Sequence, residues 1–106
     1  MFCRRRYCRN FQTGDITATE MKNKIIQGAI LLDVRSNQEF NEGHLQGAIN
    51  IPDFELLNRI EREIPKKNQL IVIYCEYGGR SREVYIKMRK LGYTNIYNLH
   101  GGIGNL

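Results

Sequence analysis

The composition of the 106-residue chain, with 42% hydrophobic and 25% charged residues, is that of one soluble globular domain. It has no run of about 18 apolar residues, so we expect no membrane span, and its basic start lacks the apolar stretch of a secretory signal. The formal charge of +5 comes largely from four arginines among the first ten residues. We therefore expect a basic, disordered arm over residues 1–13, a near-neutral domain over residues 14–106, and no specific nucleic-acid partner.

The three cysteines are an odd number, and the spacing of Cys3 and Cys8 fits neither a redox Cys-x-x-Cys pair nor a zinc site. Because we expect no export signal, the sequence favours a reducing cytoplasm in which the thiols stay free. The two histidines lie far along the chain from both of these cysteines. We therefore expect no metal site and no cofactor.

Strand and helix patterns alternate along the chain. The predicted strands cover residues 15–17, 29–34, 48–51, 70–74 and 96–99. Capping boxes beginning at Thr17 and Ser36 predict two helix starts. Asp53 is predicted to cap a third helix, and a fourth follows Ser81. Five strands separated by helices indicate an α/β fold with a mainly parallel sheet and helices on both faces.

The segment after the fourth strand contains the candidate chemistry, because ligand sites of such sheets lie at the carboxyl ends of the strands. Cys75 follows a buried, apolar strand directly, and a glycine pair, an arginine and a serine precede the next helix. Backbone N–H groups from Glu76 to Arg80 can form a cradle for a negatively charged sulfur, to which Arg80 and the helix N-terminus add positive charge. Since such surroundings favour the nucleophilic thiolate, we interpret Cys75 as the catalytic residue. The candidate substrate-binding residues are Glu76, Tyr77, Gly78, Gly79, Arg80 and Ser81.

Blocks spread over residues 14–104 contain a family pattern. They read Leu32-Asp33-Val34-Arg35, Glu39-Phe40, Gly43-His44-Leu45-Gln46-Gly47-Ala48-Ile49-Asn50-Ile51-Pro52, Ile73-Tyr74-Cys75-Glu76-Tyr77-Gly78-Gly79-Arg80-Ser81, Leu91-Gly92-Tyr93 and Gly101-Gly102-Ile103. In order and spacing, these blocks together resemble the rhodanese family. The resemblance implies a five-stranded parallel sheet between helices and an active loop that runs from Cys75 to Arg80.

The resemblance also implies a reaction. A rhodanese-type sulfurtransferase would take a sulfane sulfur from thiosulfate or a persulfide onto Cys75 and pass it to a thiol or to cyanide. The implied partners are small sulfur donors and thiol acceptors, and a protein that carries a persulfide is a further candidate. Many relatives have a tryptophan after the second glycine pair, and this chain has none, so we expect a looser C-terminal closure of the site.

Three residues outside the loop are candidates for the rim of the pocket. Asp33 and Arg35 follow the strand that the family places beside the Cys75 strand. They either shape the pocket mouth or form an ion pair or cap that fixes the turn. His100 comes after the fifth strand and is expected near the strand ends, where it can line the pocket.

Two other functions fit parts of the same pattern. A Cys-dependent phosphatase or arsenate reductase uses a loop with five residues between its cysteine and arginine, whereas four separate Cys75 from Arg80. A rhodanese-like module without catalysis would serve as a protein-interaction domain. Within the sulfurtransferase interpretation, the Glu76 carboxylate repels a dianion such as thiosulfate, which favours a persulfide donor presented by a protein or a small thiol.

Overall fold

The structure is a computed structural model and describes residues 10–106. The strands are β1 (Asp15–Ile16), β2 (Ile30–Asp33), β3 (Ile49–Asn50), β4 (Ile71–Tyr74) and β5 (Ile96–Leu99). The α-helices are α1 (Ala18–Ile26), α2 (Asn37–Glu42), α3 (Leu56–Glu63) and α4 (Gly79–Lys90). Two short 3-10 turns cover Asp53–Glu55 and Ile103–Asn105. The predictions for Cys3, Cys8 and the arginines between and beside them lie outside the described residues.

The strands form one sheet in the order β1-β5-β4-β2-β3, and all neighbours are parallel. Side chains of the central strand alternate between the two faces, as the pleat of a strand requires. Ile73 and then Cys75 lie in the core cluster beneath α3 and α4. Val72 and Tyr74 lie in the cluster on the opposite face, together with Met21 of α1. The predicted α/β fold with helices on both faces of a parallel sheet is confirmed.

Both predicted capping boxes are present. The hydroxyl groups of Thr17 and Ser36 each accept the backbone N–H of the glutamate three residues on, whose side chain in turn accepts the N–H of the capping residue. The prediction for Asp53 is wrong, because this residue opens a 3-10 turn after Pro52 and its side chain makes no capping bond. The α-helix itself starts only at Leu56, after that turn.

The register of the sheet brings the loops at its carboxyl edge together. Asp33 at the end of β2 is paired with Tyr74 at the end of β4. Arg35 and Glu76, which follow these two residues by two positions, therefore lie side by side just beyond the ends of β2 and β4. The loops that follow β2 and β4 consequently meet at the edge where the sequence places its candidate residues.

The first described residues contact the domain. The ring of Phe11 stacks on His100 with a centroid distance of 4.1 Å, and Arg82 of α4 donates to the carbonyl oxygen of Thr13. Residues 1–9 lie outside the described range, so the extent of the predicted arm stays a prediction.

Candidate active site

Cys75 lies at the start of the loop between β4 and α4, and 1% of its surface is exposed. Its sulfur accepts the backbone N–H of Gly78 at 3.1 Å and that of Ser81 at 3.3 Å. The sulfur also lies 3.3 Å from the Ser81 hydroxyl oxygen. A buried sulfur that is surrounded by hydrogen-bond donors can hold negative charge, which distinguishes it from a cysteine that merely fills the core.

Gly78 determines where the helix after this loop begins. Its backbone lies in the left-handed region with φ of 99°, and an added Cβ would lie 3.2 Å from the Gly101 nitrogen. Helix α4 therefore starts at Gly79, three residues earlier than predicted, and Ser81 lies in its first turn. The first N–H groups of a helix have no partner within the helix. The Cys75 sulfur accepts one of them, and it thereby lies at the positive end of the helix dipole.

A cavity of about 240 Å³ opens beside the sulfur and is lined by Cys75, Glu76, Tyr77, Gly79 and Arg80. The predicted substrate-binding residues thus divide into two groups. Glu76, Tyr77, Gly79 and Arg80 line the cavity, whereas Gly78 and Ser81 bond the sulfur from its buried side. Ser81, whose N–H was not part of the predicted cradle, is one of the two backbone donors to the sulfur among the described residues. Its hydroxyl group also donates to the carbonyl oxygen of Gly78 at 3.2 Å.

The C-terminal segment holds the outer side of the loop. Ile103 N–H donates to the Cys75 carbonyl at 3.0 Å, and Gly104 N–H donates to the Glu76 carbonyl at 2.7 Å. An added Cβ at Gly102 would overlap both of these carbonyl oxygens. In a trans peptide the C=O and the following N–H point in opposite directions, so the N–H groups of Glu76 and Tyr77 point away from this segment. The closure expected to be loose is made by backbone hydrogen bonds instead of a tryptophan side chain.

Arg80 points to a carboxylate that the sequence did not connect with it. Its Nη1 and Nη2 atoms donate to Oε1 and Oε2 of Glu39 at 2.7 and 3.0 Å. The hydrogen bonds from Arg80 outweigh the partial burial and lower the pKa of Glu39 to about 2, while the same bonds raise the pKa of Arg80. The expected free positive charge beside the sulfur is therefore paired, although Arg80 lines the cavity.

Asp33 and Arg35 lie beneath the rim rather than on it. The Arg35 guanidinium holds Asp33 through several bonds, the shortest of 2.7 Å from Nη2, and the same atom donates to the Gly43 carbonyl at 2.7 Å. These bonds with Asp33 raise the pKa of Arg35 despite its burial. Its Nη1 lies 3.3 Å from Oε1 of Glu76, whose side chain is 35% exposed. Among the two roles predicted for Asp33 and Arg35, the geometry favours the ion pair that fixes the turn.

His100 is oriented toward the first strand. Its Nδ1 lies 3.2 Å from Oδ2 of Asp15, and Phe11 covers its ring. It does not contribute to the cavity beside Cys75. Its backbone still lies close to the loop, because the next residue, Gly101, faces Gly78.

Sequence reasoning missed two parts of this site. Glu39 was explained fully by its capping box, so nothing in the local pattern indicated a partner 41 residues away. The bonds from the C-terminal segment were missed because they come from backbone groups, which leave no residue pattern. The glycines at 101 and 102 were the available signal, since such a pair indicates a close approach of two backbones.

The chain that contains this site matches a known protein family. The rhodanese-like domain family matches residues 17–105, which is most of the chain. The chain belongs to this family. Cys75 and its loop lie where the family resemblance of the sequence puts the active loop.

Curated relatives of the chain have different names. It is 37% identical over 70 residues to thiosulfate sulfurtransferase PspE of Escherichia coli, covering 66% of this chain and 67% of that protein. It is 43% identical over 74 residues to the uncharacterized protein YqhL of Bacillus subtilis, 70% of this chain and 57% of that one. It is also 33% identical over 103 residues to a tRNA uridine(34) hydroxylase of Legionella pneumophila, covering 91% of this chain but 40% of that protein. The family therefore includes sulfurtransferases and proteins with other activities.

Solved structures of similar size share the fold. The human single-domain sulfurtransferase TSTD1 superposes with a TM-score of 0.78 at 28% identity, covering 88% of this chain and 94% of that one. A rhodanese-related protein from Thermoplasma volcanium gives a TM-score of 0.75 at 30% identity, with 86% and 87% covered. None of the helices within residues 10–106 is long and apolar enough to cross a membrane.

Proposed function

We propose that this chain is a sulfurtransferase in which Cys75 carries the transferred sulfur as a persulfide. The observation that supports this most directly is the sulfur itself. It is buried and bonded by two backbone N–H groups on one side, and it opens on a cavity of about 240 Å³ on the other. That volume is below the usual range of about 300–1,000 Å³ for sites that bind larger organic ligands, and it suits an extra sulfur atom with a small donor.

The proposed reaction has two displacement steps. The Cys75 thiolate attacks the outer sulfur of thiosulfate, the S–S bond of the donor breaks, and sulfite leaves with the bonding electrons. An acceptor thiolate or cyanide then attacks the terminal sulfur of the persulfide, and the Cys75 thiolate is regenerated. The backbone N–H groups of Gly78 and Ser81 hold the inner sulfur and stabilise its negative charge in both steps.

The donors and acceptors in this proposal are small sulfur compounds and thiols, or a persulfide on a partner protein, in a cytoplasmic setting. A phosphatase or arsenate reductase is less well supported. An oxyanion bound in such a loop needs the two parallel N–H bonds of the arginine, and here Glu39 accepts both from Arg80.

The experiment compares thiocyanate formation from thiosulfate and cyanide by the wild-type chain, by Cys75→Ser and by a double Cys3→Ser, Cys8→Ser variant. We expect Cys75→Ser to lose turnover and keep its melting temperature, because serine fits the same position. The double variant is the matched control and should retain turnover. Turnover by Cys75→Ser at the wild-type rate would contradict the proposal. A wild-type chain that transfers sulfur from neither thiosulfate nor a persulfide would favour the non-catalytic module.

A further inference from the structure

The arginine of the cavity is occupied by a side chain of the protein itself. Arg80 binds Glu39 through two parallel hydrogen bonds, from Nη1 to Oε1 and from Nη2 to Oε2. This arrangement resembles the one with which an arginine recognises a free carboxylate, sulfonate or phosphate. The two N–H bonds that Arg80 directs at Glu39 are therefore not available to a ligand in the cavity.

Glu39 is held in this position from its own helix. Its backbone N–H donates to the Ser36 hydroxyl at 3.1 Å, and its Oε1 accepts the Ser36 N–H at 3.0 Å. The capping box thus orients the carboxylate independently of its bonds to Arg80. The pair is only partly covered, with 33% of the Glu39 side chain and 39% of the Arg80 side chain exposed. Such a pair is open to exchange with an ion from solution.

The other charged residues near the cavity do not supply a positive charge in place of the one that Glu39 neutralises on Arg80. Glu76 lines the cavity with a second carboxylate. Its contact with Arg35 is a single one of 3.3 Å, and Arg35 itself is already bound to Asp33. Among the described residues that line the cavity, the one cation is therefore balanced by Glu39 and the one carboxylate is only partly balanced.

We propose that Glu39 is a positioning residue that determines donor specificity, because it holds and neutralises Arg80 and so disfavours sulfur donors with two negative charges. The inference rests on the proposed sulfurtransferase function and names its donor class. Donors with one negative charge or none are accepted, whereas a dianion has to displace Glu39 from Arg80 or bind without its help.

The first experiment compares two donors that react through the same S–S bond and differ by one charge. Thiosulfate is a dianion and releases sulfite, whereas the methanethiosulfonate anion has one charge and releases methanesulfinate. Glu39→Gln keeps the side-chain shape and an oxygen for Ser36, but it removes the charge. We expect it to raise kcat/KM for thiosulfate about three- to tenfold at low salt, mainly through KM, with a smaller gain for methanethiosulfonate.

The chain offers a matched control on the same helix. Glu42→Gln removes one negative charge from an exposed position, where Glu42 accepts a bond from Gln38. It should leave the ratio of the two kcat/KM values unchanged. Combining Glu39→Gln with Arg80→Gln should abolish the gain, because the effect acts through Arg80. Should Glu39→Gln not fold, Glu39→Asp draws the carboxylate back by one methylene group and should give a smaller gain of the same kind.

A second measurement does not depend on sulfur transfer. Iodoacetate and iodoacetamide alkylate a thiol through the same displacement and differ in charge, and mass spectrometry follows their reaction at Cys75. Glu39→Gln should raise the iodoacetate-to-iodoacetamide rate ratio about threefold at low salt, and the gain should shrink as salt is added. An unchanged ratio in Glu39→Gln, equal to that of Glu42→Gln, would overturn the proposal. A raised ratio in a chain that transfers no sulfur would leave the role of Glu39 standing and refute the sulfurtransferase function.

Discussion

The two arginine–carboxylate pairs at the carboxyl edge of the sheet are built differently. Arg35 binds Asp33, two residues before it, and both side chains are almost entirely buried. Arg80 binds Glu39 from another helix, 41 residues earlier, and more than a third of its side chain is exposed. The first pair also bonds the Gly43 carbonyl and fixes the turns around it, whereas the second borders the cavity and can exchange partners. The comparison separates a structural pair from a functional one, although both use the same two kinds of side chain.

Arg35→Ala is expected to have the largest effect on stability. It leaves the Asp33 carboxylate, which has no exposed surface, without its cation, and breaking a buried pair costs about 3–5 kcal/mol. Urea denaturation measures the free energy of unfolding. Arg59→Ala is the matched control, since Arg59 also pairs with two carboxylates but keeps 28% of its side chain exposed, so the loss should be about 1 kcal/mol or less. Equal losses in the two variants would contradict the structural role of Arg35.

For Arg80→Ala we expect a small loss of stability and a larger loss of the transfer rate. The stability loss should be about 0.2–1 kcal/mol, as for an exposed pair. The transfer rate should fall more, because the variant leaves Glu39 without a cation beside the cavity, and one unpaired charge at a few ångströms reduces kcat/KM for an anionic donor by about tenfold. Denaturation and thiosulfate kinetics on the same preparation check both effects. A loss of stability as large as that of Arg35→Ala, with unchanged kinetics in the folded fraction, would refute the distinction between the pairs.

The difference between these pairs also marks what the sequence could predict. The strands, the parallel sheet and the two capping boxes follow from local periodicity and local hydrogen-bonding partners, which a single sequence contains. The local neighbours Asp33 and Arg35 were recognised as an ion pair that could fix a turn. The pairing of Arg80 with Glu39 depends on how two helices meet across the sheet edge, which no local pattern encodes.

The boundary of α4 illustrates the same limit on a smaller scale. The glycine pair predicted a tight turn, but not that Gly78 would take the left-handed conformation and start the helix at Gly79. That conformation decides which N–H groups face the sulfur, and it adds the Ser81 N–H, which the predicted cradle did not include. The Asp53 prediction failed for a related reason, since a 3-10 turn and an α-helix begin with similar residues.

Glu76→Gln extends the comparison to the carboxylate between the two pairs. Glu76 lines the cavity but has one contact of 3.3 Å with Arg35, so its charge is partly balanced. We expect kcat/KM for thiosulfate to rise about two- to threefold at low salt, less than in Glu39→Gln, with little change for an uncharged donor. Kinetics at two ionic strengths test this. A gain that persists at high salt would indicate a change in loop structure instead of a charge effect.

The stability of the Arg80–Glu39 pair should depend on pH in a definite window. The bonds from Arg80 lower the pKa of Glu39 to about 2, from an ordinary value of 4.5, so ionisation of Glu39 favours the folded state. This contribution is present above about pH 4.5 and is lost as the pH falls toward 2. The Glu39→Gln variant lacks this contribution at every pH. The difference in unfolding free energy between the wild type and this variant should therefore shrink across that window, and a difference that stays constant with pH would contradict the pairing.

The most direct test of the account is mass spectrometry of the full chain after incubation with thiosulfate and digestion without reductant. We expect the peptide that contains Cys75 to gain the mass of one sulfur atom, the peptides with Cys3 and Cys8 to gain none, and cyanide to remove the added sulfur. Sulfur added at Cys3 or Cys8 with none at Cys75, or sulfite released without any change at Cys75, would contradict the claim that Cys75 carries the transferred sulfur.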